Sequence, residues 1–200
     1  MDTEYKASIT SRPFLLNETA VVAELLLDGI DTQEISRRVI EEDLFQMQSV
    51  HSRRFTLGVV LRRLKHAPHE FLLFLAHGEP KLARLANLYV MLREFRLLRE
   101  ISAELLADKL LLFDDTLSQG ELERFLEHKR DQSDVIAGWS EKTFEKVRRN
   151  TMRVFVDAEL LEGRGPWRIT PPFVPEALKQ FLRDRGEEEY LKLMLDSGQP

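Results

Sequence analysis

Residues 118–172 read SQGELERFLEHKRDQSDVIAGWSEKTFEKVRRNTMRVFVDAELLEGRGPWRITPP, and the fold turns on how this stretch is parsed. Ser118 with Glu121 three residues later is a capping box, which opens a helix through Leu122 and Phe125. A short segment, Ser133 to Ala137, follows. Gly138 then supplies a tight turn, and Ser140 caps a long helix running to about Leu161. Beyond it, Gly163-Arg164-Gly165-Pro166 separates Leu160-Leu161-Glu162 from Trp167-Arg168-Ile169-Thr170, which stops at Pro171-Pro172. That pattern predicts a two-stranded hairpin with a glycine turn. A hairpin attached to a helix-turn-helix is a wing, so residues 116–200 are expected to form a winged helix-turn-helix domain with one small β-hairpin.

The long helix has two unlike faces. Phe144, Val147, Thr151, Val154, Phe155 and Ala158 recur at helical spacing and are expected to face inward. Lys142, Lys146, Arg149 and Arg153 fall at i, i+4, i+7 and i+11 on the opposite face, with Glu141 and Glu145 offset. Any surface helix needs polar residues outside, so single cations mean little. Four on one stripe suit a helix that meets phosphates and a groove. Arg164 at the hairpin tip and Arg168 on its strand are placed to touch a phosphate backbone or minor groove, whereas Trp167 is expected to anchor the hairpin on the core.

Working back towards the N-terminus, the dominant periodicity is helical and strand alternation is nearly missing. Helices are predicted from Asn17 (as cap) to Leu27, after Asp31, after Ser52 (as cap), and over His69–Ala76, Pro80–Phe95 and Leu98–Leu112. Leu85, Leu88, Tyr89, Leu92 and Phe95 make a wide buried stripe. Asp114-Asp115-Thr116 breaks the pattern, which places a boundary there and makes residues 1–115 a helical N-terminal domain. The fold class is mainly α.

Charge is distributed unevenly. The chain has 200 residues and a formal net charge of −5, which argues against a protein coated in nucleic acid. Locally the balance reverses: from Leu44 to His69 there is no Asp or Glu, while Arg53, Arg54, Arg62, Arg63 and Lys65 all fall there. Ser8, Thr10, Ser11 and Arg12 form a second polar and basic stretch, suited either to phosphate contacts or to a capping loop.

Other chemistries find no support. Cysteine is absent, which removes disulfides and thiolate ligands and fits a cytoplasmic compartment. The first residues lack the apolar run of a secretory signal, and no window reaches the roughly 20 apolar residues of a membrane span, so no membrane association is expected. His66 and His69 are separated by Pro68 and lack a third ligand, so no metal is expected. Gly163-x-Gly165 lacks the context of a dinucleotide or phosphate loop, and there is no glycine-flanked serine. No cofactor and no enzymatic activity are expected.

The strings Tyr5-Lys6-Ala7-Ser8-Ile9-Thr10-Ser11, Phe14-Leu15-Leu16-Asn17-Glu18 and Glu42-Asp43-Leu44-Phe45-Gln46, with Ser49 and Arg53, resemble the BrxA family of bacterial BREX phage-defence systems. The resemblance extends over nearly the whole chain and includes the helix from Asn150 to Leu161 and its wing. It implies a small, helical, cytoplasmic protein that binds double-stranded DNA beside the methyltransferase, phosphatase-like and ATPase components of the system. An older family label of inner-membrane protein conflicts with the hydropathy. Together these readings predict a non-enzymatic, sequence-tolerant duplex-DNA binder that works with other BREX proteins. Its expected contacts are Ser11, Arg12, Arg53, Arg54, Lys142, Lys146, Arg149, Arg153, Arg164 and Arg168. An interaction scaffold and an RNA-binding helical protein are the alternatives, and a homo-oligomer on DNA is left open.

Overall fold

The computed structural model describes residues 4–11, 14–196 and 198. Its elements are mainly helices, and the chain divides into two compact units, one of residues 15–87 and one of residues 1–14 with 88–200.

The first unit is helical. Here α1 (Leu16–Leu27) packs on α4 (His69–Ala76) and on α3 (Val50–Leu64), and α3 packs on α2 (Thr32–Glu41). Val22, Ala23, Ile35, Val39, Val60 and Leu75 are almost wholly buried and form its core. Asp31 caps α2 by accepting from the backbone N–H groups of Gln33 and Glu34 at 2.8 and 3.0 Å. Two expected caps differ. Asn17 lies inside α1, whose N-cap is Leu15 in the left-handed region at φ 55°, with no side-chain cap bond. Ser52 lies inside α3, where Ser49 is the cap and its hydroxyl accepts from the Ser52 N–H at 3.3 Å.

In the middle of α5 (Pro80–Glu94) the chain passes to the other unit. There α6 (Arg96–Glu100) continues as one π-helical stretch, Ile101–Leu106, into α7 (Ala107–Leu111). Then come β1 (Thr116–Leu117), α8 (Gln119–Asp131), α9 (Asp134–Ala137), α10 (Glu141–Asp157), β2 (Leu161–Glu162), β3 (Trp167–Ile169), α11 (Glu176–Asp184) and α12 (Glu189–Leu193). The capping box is present: the Ser118 hydroxyl accepts from the Glu121 N–H at 3.3 Å, and Glu121 accepts from the Ser118 N–H at 2.8 Å.

The expected hairpin is part of a three-stranded antiparallel sheet in the order β1-β3-β2. Thr116 pairs with Arg168 and Leu117 with Trp167 on one side of β3, and Leu161 with Ile169 and Glu162 with Arg168 on the other. Leu117, Leu161, Trp167 and Ile169 are buried, whereas Thr116, Glu162 and Arg168 are exposed. Period-two alternation therefore survives even in strands this short. Gly163 and Gly165, at φ 99° and 100°, make the turn. A Cβ at Gly165 would sit 2.8 Å from the movable end of the Gln119 side chain, so it is the backbone conformation that demands glycine there.

The boundary expected at residue 115 falls inside this unit. Contacts cross it: the Ile169 N–H donates to the Asp115 carbonyl at 2.7 Å, Lys109 Nζ lies 2.6 Å from Glu121, and Lys129 Nζ lies 2.7 Å from Glu104. The long helix also ends at Asp157 rather than near Leu161, because Glu159 adopts φ 63° and turns the chain into β2.

Candidate nucleic-acid interface

The candidate site is built on α10. Ser140 caps it, its hydroxyl accepting from the Thr143 N–H at 3.2 Å. Phe144, Val147, Thr151, Met152, Val154 and Phe155 are buried, which fixes the rotation of the helix about its axis. Lys142, Lys146, Arg149 and Arg153 are all exposed. At 100° per residue they span an arc of about 60°, diametrically across from the buried residues. Arg153 Nε lies 3.4 Å from Asp157, an exposed pair that restrains it weakly. Among the described residues, Lys142, Lys146 and Arg149 enter no ion pair. Arg148 has a different use, bonding Glu123 on α8 at 3.2 Å and Glu145 at 2.7 Å, and so pins α10 to α8.

One flank of α10 is covered by the N-terminal segment. A 3-10 turn, Ala7–Thr10, packs on the helix with Ile9 buried, and the Asn150 side chain donates to the Ile9 carbonyl at 3.0 Å. Upstream, the Tyr5 hydroxyl donates to Glu100 at 2.8 Å, and Arg96 lies over the Tyr5 ring while bonding Glu100 at 2.7 Å. Lys129 lies 3.3 Å from the same carboxylate. Burial pushes the Glu100 carboxyl up, but the bonds from Arg96 and Tyr5 and the Lys129 charge outweigh it, so the net direction is down. Burial and the bond to Glu100 push the Tyr5 phenol up to about 12. The segment is thus tethered at both ends, with Ser8 and Ser11 exposed and Thr10 half-buried beside α10. Arg12 lies outside the described residues.

The hairpin contributes less charge than expected. Arg164 is exposed at its tip. Arg168 is exposed too, but its Nε lies 3.3 Å from Asp115 and it sits opposite Glu162 in the ladder, so carboxylates surround it.

Arg53 and Arg54 belong to the other unit and have different environments. Arg53 is mostly buried, with Nε 2.7 Å from Asp43 and 2.7 Å from the Met47 carbonyl, and Nη1 2.8 Å from the Ile40 carbonyl. Asp43 also accepts from the Met47 N–H at 2.8 Å, and Asp43 and Gln46 both adopt left-handed backbone, φ 52° and 51°. The loop between α2 and α3 is therefore closed around the Arg53–Asp43 pair, and its Phe45 is buried. Arg53 is a structural strut. Arg54, its neighbour, is exposed.

Sequence reasoning missed Asn150, Arg148, Tyr5 and Glu100. Asn150 and Ile9 are 141 residues apart, and no periodic signal joins them. Among the described residues no cluster of three or more His, Cys, Asp or Glu could hold a metal, and no helix is long and apolar enough to cross a membrane.

The BrxA family model matches residues 3–186. The chain belongs to the BrxA family. It is 27% identical over 192 residues to the BREX protein BrxA of Bacillus cereus (strain H3081.97), covering 96% of each chain. It is 21% identical to the BREX protein BrxA of Paramagnetospirillum magneticum (strain ATCC 700264 / AMB-1), again covering 96% of each. The crystal structure of an uncharacterized protein from Magnetospirillum magneticum has the same fold, with a TM-score of 0.80 at 20% identity over 96% of this chain and 98% of that one. Two of the strings that carry the family resemblance have structural jobs here: Tyr5 to Ser11 tethers the N-terminal segment, and Glu42 to Arg53 closes the loop before α3.

Proposed function

We propose that this BrxA-family chain is a non-enzymatic duplex-DNA-binding accessory protein of BREX phage defence, acting in the cytoplasm beside other BREX proteins. On this reading residues 96–169 are a winged helix-turn-helix, with α8 and α10 as its two helices, α10 as the one that meets the groove, and the 163–166 turn as the wing. The element order and the β1-β3-β2 sheet are consistent with it. One observation carries the proposal: Lys142, Lys146, Arg149 and Arg153 share one exposed stripe, and three of them enter no ion pair among the described residues. Cations without ion-pair partners on a helix face can displace the counterions condensed on a polyanion, and their release favours binding.

Replacing Lys146 and Arg149 together by alanine tests this. The buried face is untouched, so the variant should fold. Each lost phosphate contact removes about 0.9 from the logarithmic salt slope on B-form DNA, so binding should weaken and the slope fall by up to about two units. Charge reversal of Glu188 and Glu189, both exposed and far along the chain from α10, is the control. A folded K146A/R149A protein with wild-type affinity and slope would falsify the role of α10. The exposed corner Leu111, Leu112 and Phe113, at 76, 79 and 99% exposure, favours a second reading as a protein-interaction scaffold. Absence of any duplex shift at low salt would leave that reading in place of the first.

A further inference from the structure

The outer face of α3 has an arrangement that the packing of its own unit does not explain. His51, Arg54, Gly58, Arg62 and Lys65 are all exposed. Their spacing is −7, −4, 0, +4 and +7 about Gly58, and at 100° per residue they fall within an arc of about 80°. Thr56, Leu57, Val59, Val60 and Leu64 are buried on the other side. No Asp or Glu occurs between Leu44 and His69, so α3 itself carries no carboxylate.

Gly58 is the informative residue. Glycine in a helix interior is unfavourable relative to alanine, because it adds backbone freedom to the unfolded chain. A helix normally tolerates it where a neighbouring element presses too close for a Cβ. Here a Cβ would meet nothing within 4 Å, and the backbone is not left-handed. Neither ordinary reason for the glycine is present among the described residues. What remains is close approach by something outside the chain, and the exposed Arg54 and Lys65 on the same face make that something anionic.

We infer that the outer face of α3 is a second seat for a duplex DNA phosphate backbone, with Gly58 as the point of closest approach and Arg54 and Lys65 as the neutralising cations. Identification of the anion as duplex DNA rests on the proposed function. The seat is separate from α10, belongs to the other unit, and does not use Arg53, which is engaged with Asp43.

Two variants of the full chain test it against a labelled duplex over a salt series. R54Q/K65Q removes two exposed cations without touching the core. It should weaken binding at about 0.1 M salt by about tenfold or more and lower the salt slope by up to about two units. Gly58→Gln adds a neutral side chain where the chain itself leaves open space. It should raise the melting temperature, since glutamine is the better helix former, and yet weaken duplex binding. Opposite signs for stability and affinity separate a blocked contact from a damaged fold. Wild-type affinity in either folded variant overturns the α3 seat. If binding falls in K146A/R149A but not in the α3 variants, this inference fails and the α10 reading stands. If it falls in the α3 variants and not in K146A/R149A, the reverse holds.

Discussion

Glu121 serves two purposes with one carboxylate. It completes the capping box of α8 by accepting from the Ser118 N–H at 2.8 Å, and its other oxygen lies 2.6 Å from Nζ of Lys109, a side chain that is only 9% exposed. A buried ammonium needs counterions, and Asp114 at 2.6 Å is the second. The Lys109 bond, followed by the Ser118 side-chain and backbone bonds, draws the Glu121 carboxyl down from 4.5 to about 2. A carboxyl depressed on folding contributes stability above its unfolded value and loses it as pH falls through the folded one. That contribution is therefore complete above about pH 5 and disappears between there and about pH 2. Glu121→Gln can still cap α8 but leaves Lys109 one counterion short. We expect it to lose about 1–2 kcal/mol at neutral pH, with the difference from wild type shrinking in acid. Urea unfolding at a series of pH values measures this. Curves that stay parallel from neutral pH to pH 3 would contradict the assignment.

At the scale of elements, the end of α7, close to the predicted Leu112, is made by a backbone motif that lacks its usual glycine. The Asp114 N–H donates to the Lys109 carbonyl at 2.9 Å and the Phe113 N–H to the Leu110 carbonyl at 3.0 Å, the pair of bonds of a Schellman motif. The left-handed position of that motif usually holds glycine; here it is Phe113, at φ 60° and 99% exposed. Its ring gains nothing from burial and its Cβ is strained. Phe113→Gly should therefore stabilise the protein by about 0.5–1 kcal/mol, and an unchanged or lowered melting temperature would refute the account. The same example explains what was legible. Buried stripes such as Phe144, Val147 and Phe155 repeat at the helical period, so α10 and the cations across from them could be read directly. The side-chain caps at Ser118 and Ser140 could be read, and the start of α2 after Asp31 with them, but the sequence puts the cap of α3 at Ser52 where Ser49 makes it, and at Leu15 backbone conformation alone starts the helix. β1 has two residues and no alternation to detect, and it is defined by a partner about 50 residues away. Arg53 looked like Arg54 in sequence, and only the fold brings Asp43 and two carbonyls to it.

For the whole molecule, a net charge of −5 and an exposed cationic stripe are compatible because many basic residues are internally neutralised. Lys109, Lys129 and Lys179 are buried against carboxylates, and Arg37 and Arg38 are held by Glu34. The cations left over decide what the surface attracts, and their chemistry limits how it discriminates. Reading adenine in the major groove favours a side-chain amide, and the one amide on α10, Asn150, donates to Ile9 and holds the N-terminal segment instead. The Ser140 and Thr143 hydroxyls at the start of α10 bond each other at 2.9 Å. Exposed lysine and arginine remain, together with the Ser8 hydroxyl, all suited to phosphates. On the proposed function, duplexes of unrelated sequence and equal length should therefore compete for the protein within a few-fold of one another. Each specific base contact would instead contribute about 1–3 kcal/mol of discrimination. Competition titrations with shuffled duplexes at fixed salt provide the measurement. A preference of about a hundredfold or more for one sequence would mean that Arg149 or Arg153 reaches guanine edges rather than phosphates, and would move the site from backbone holding to direct readout.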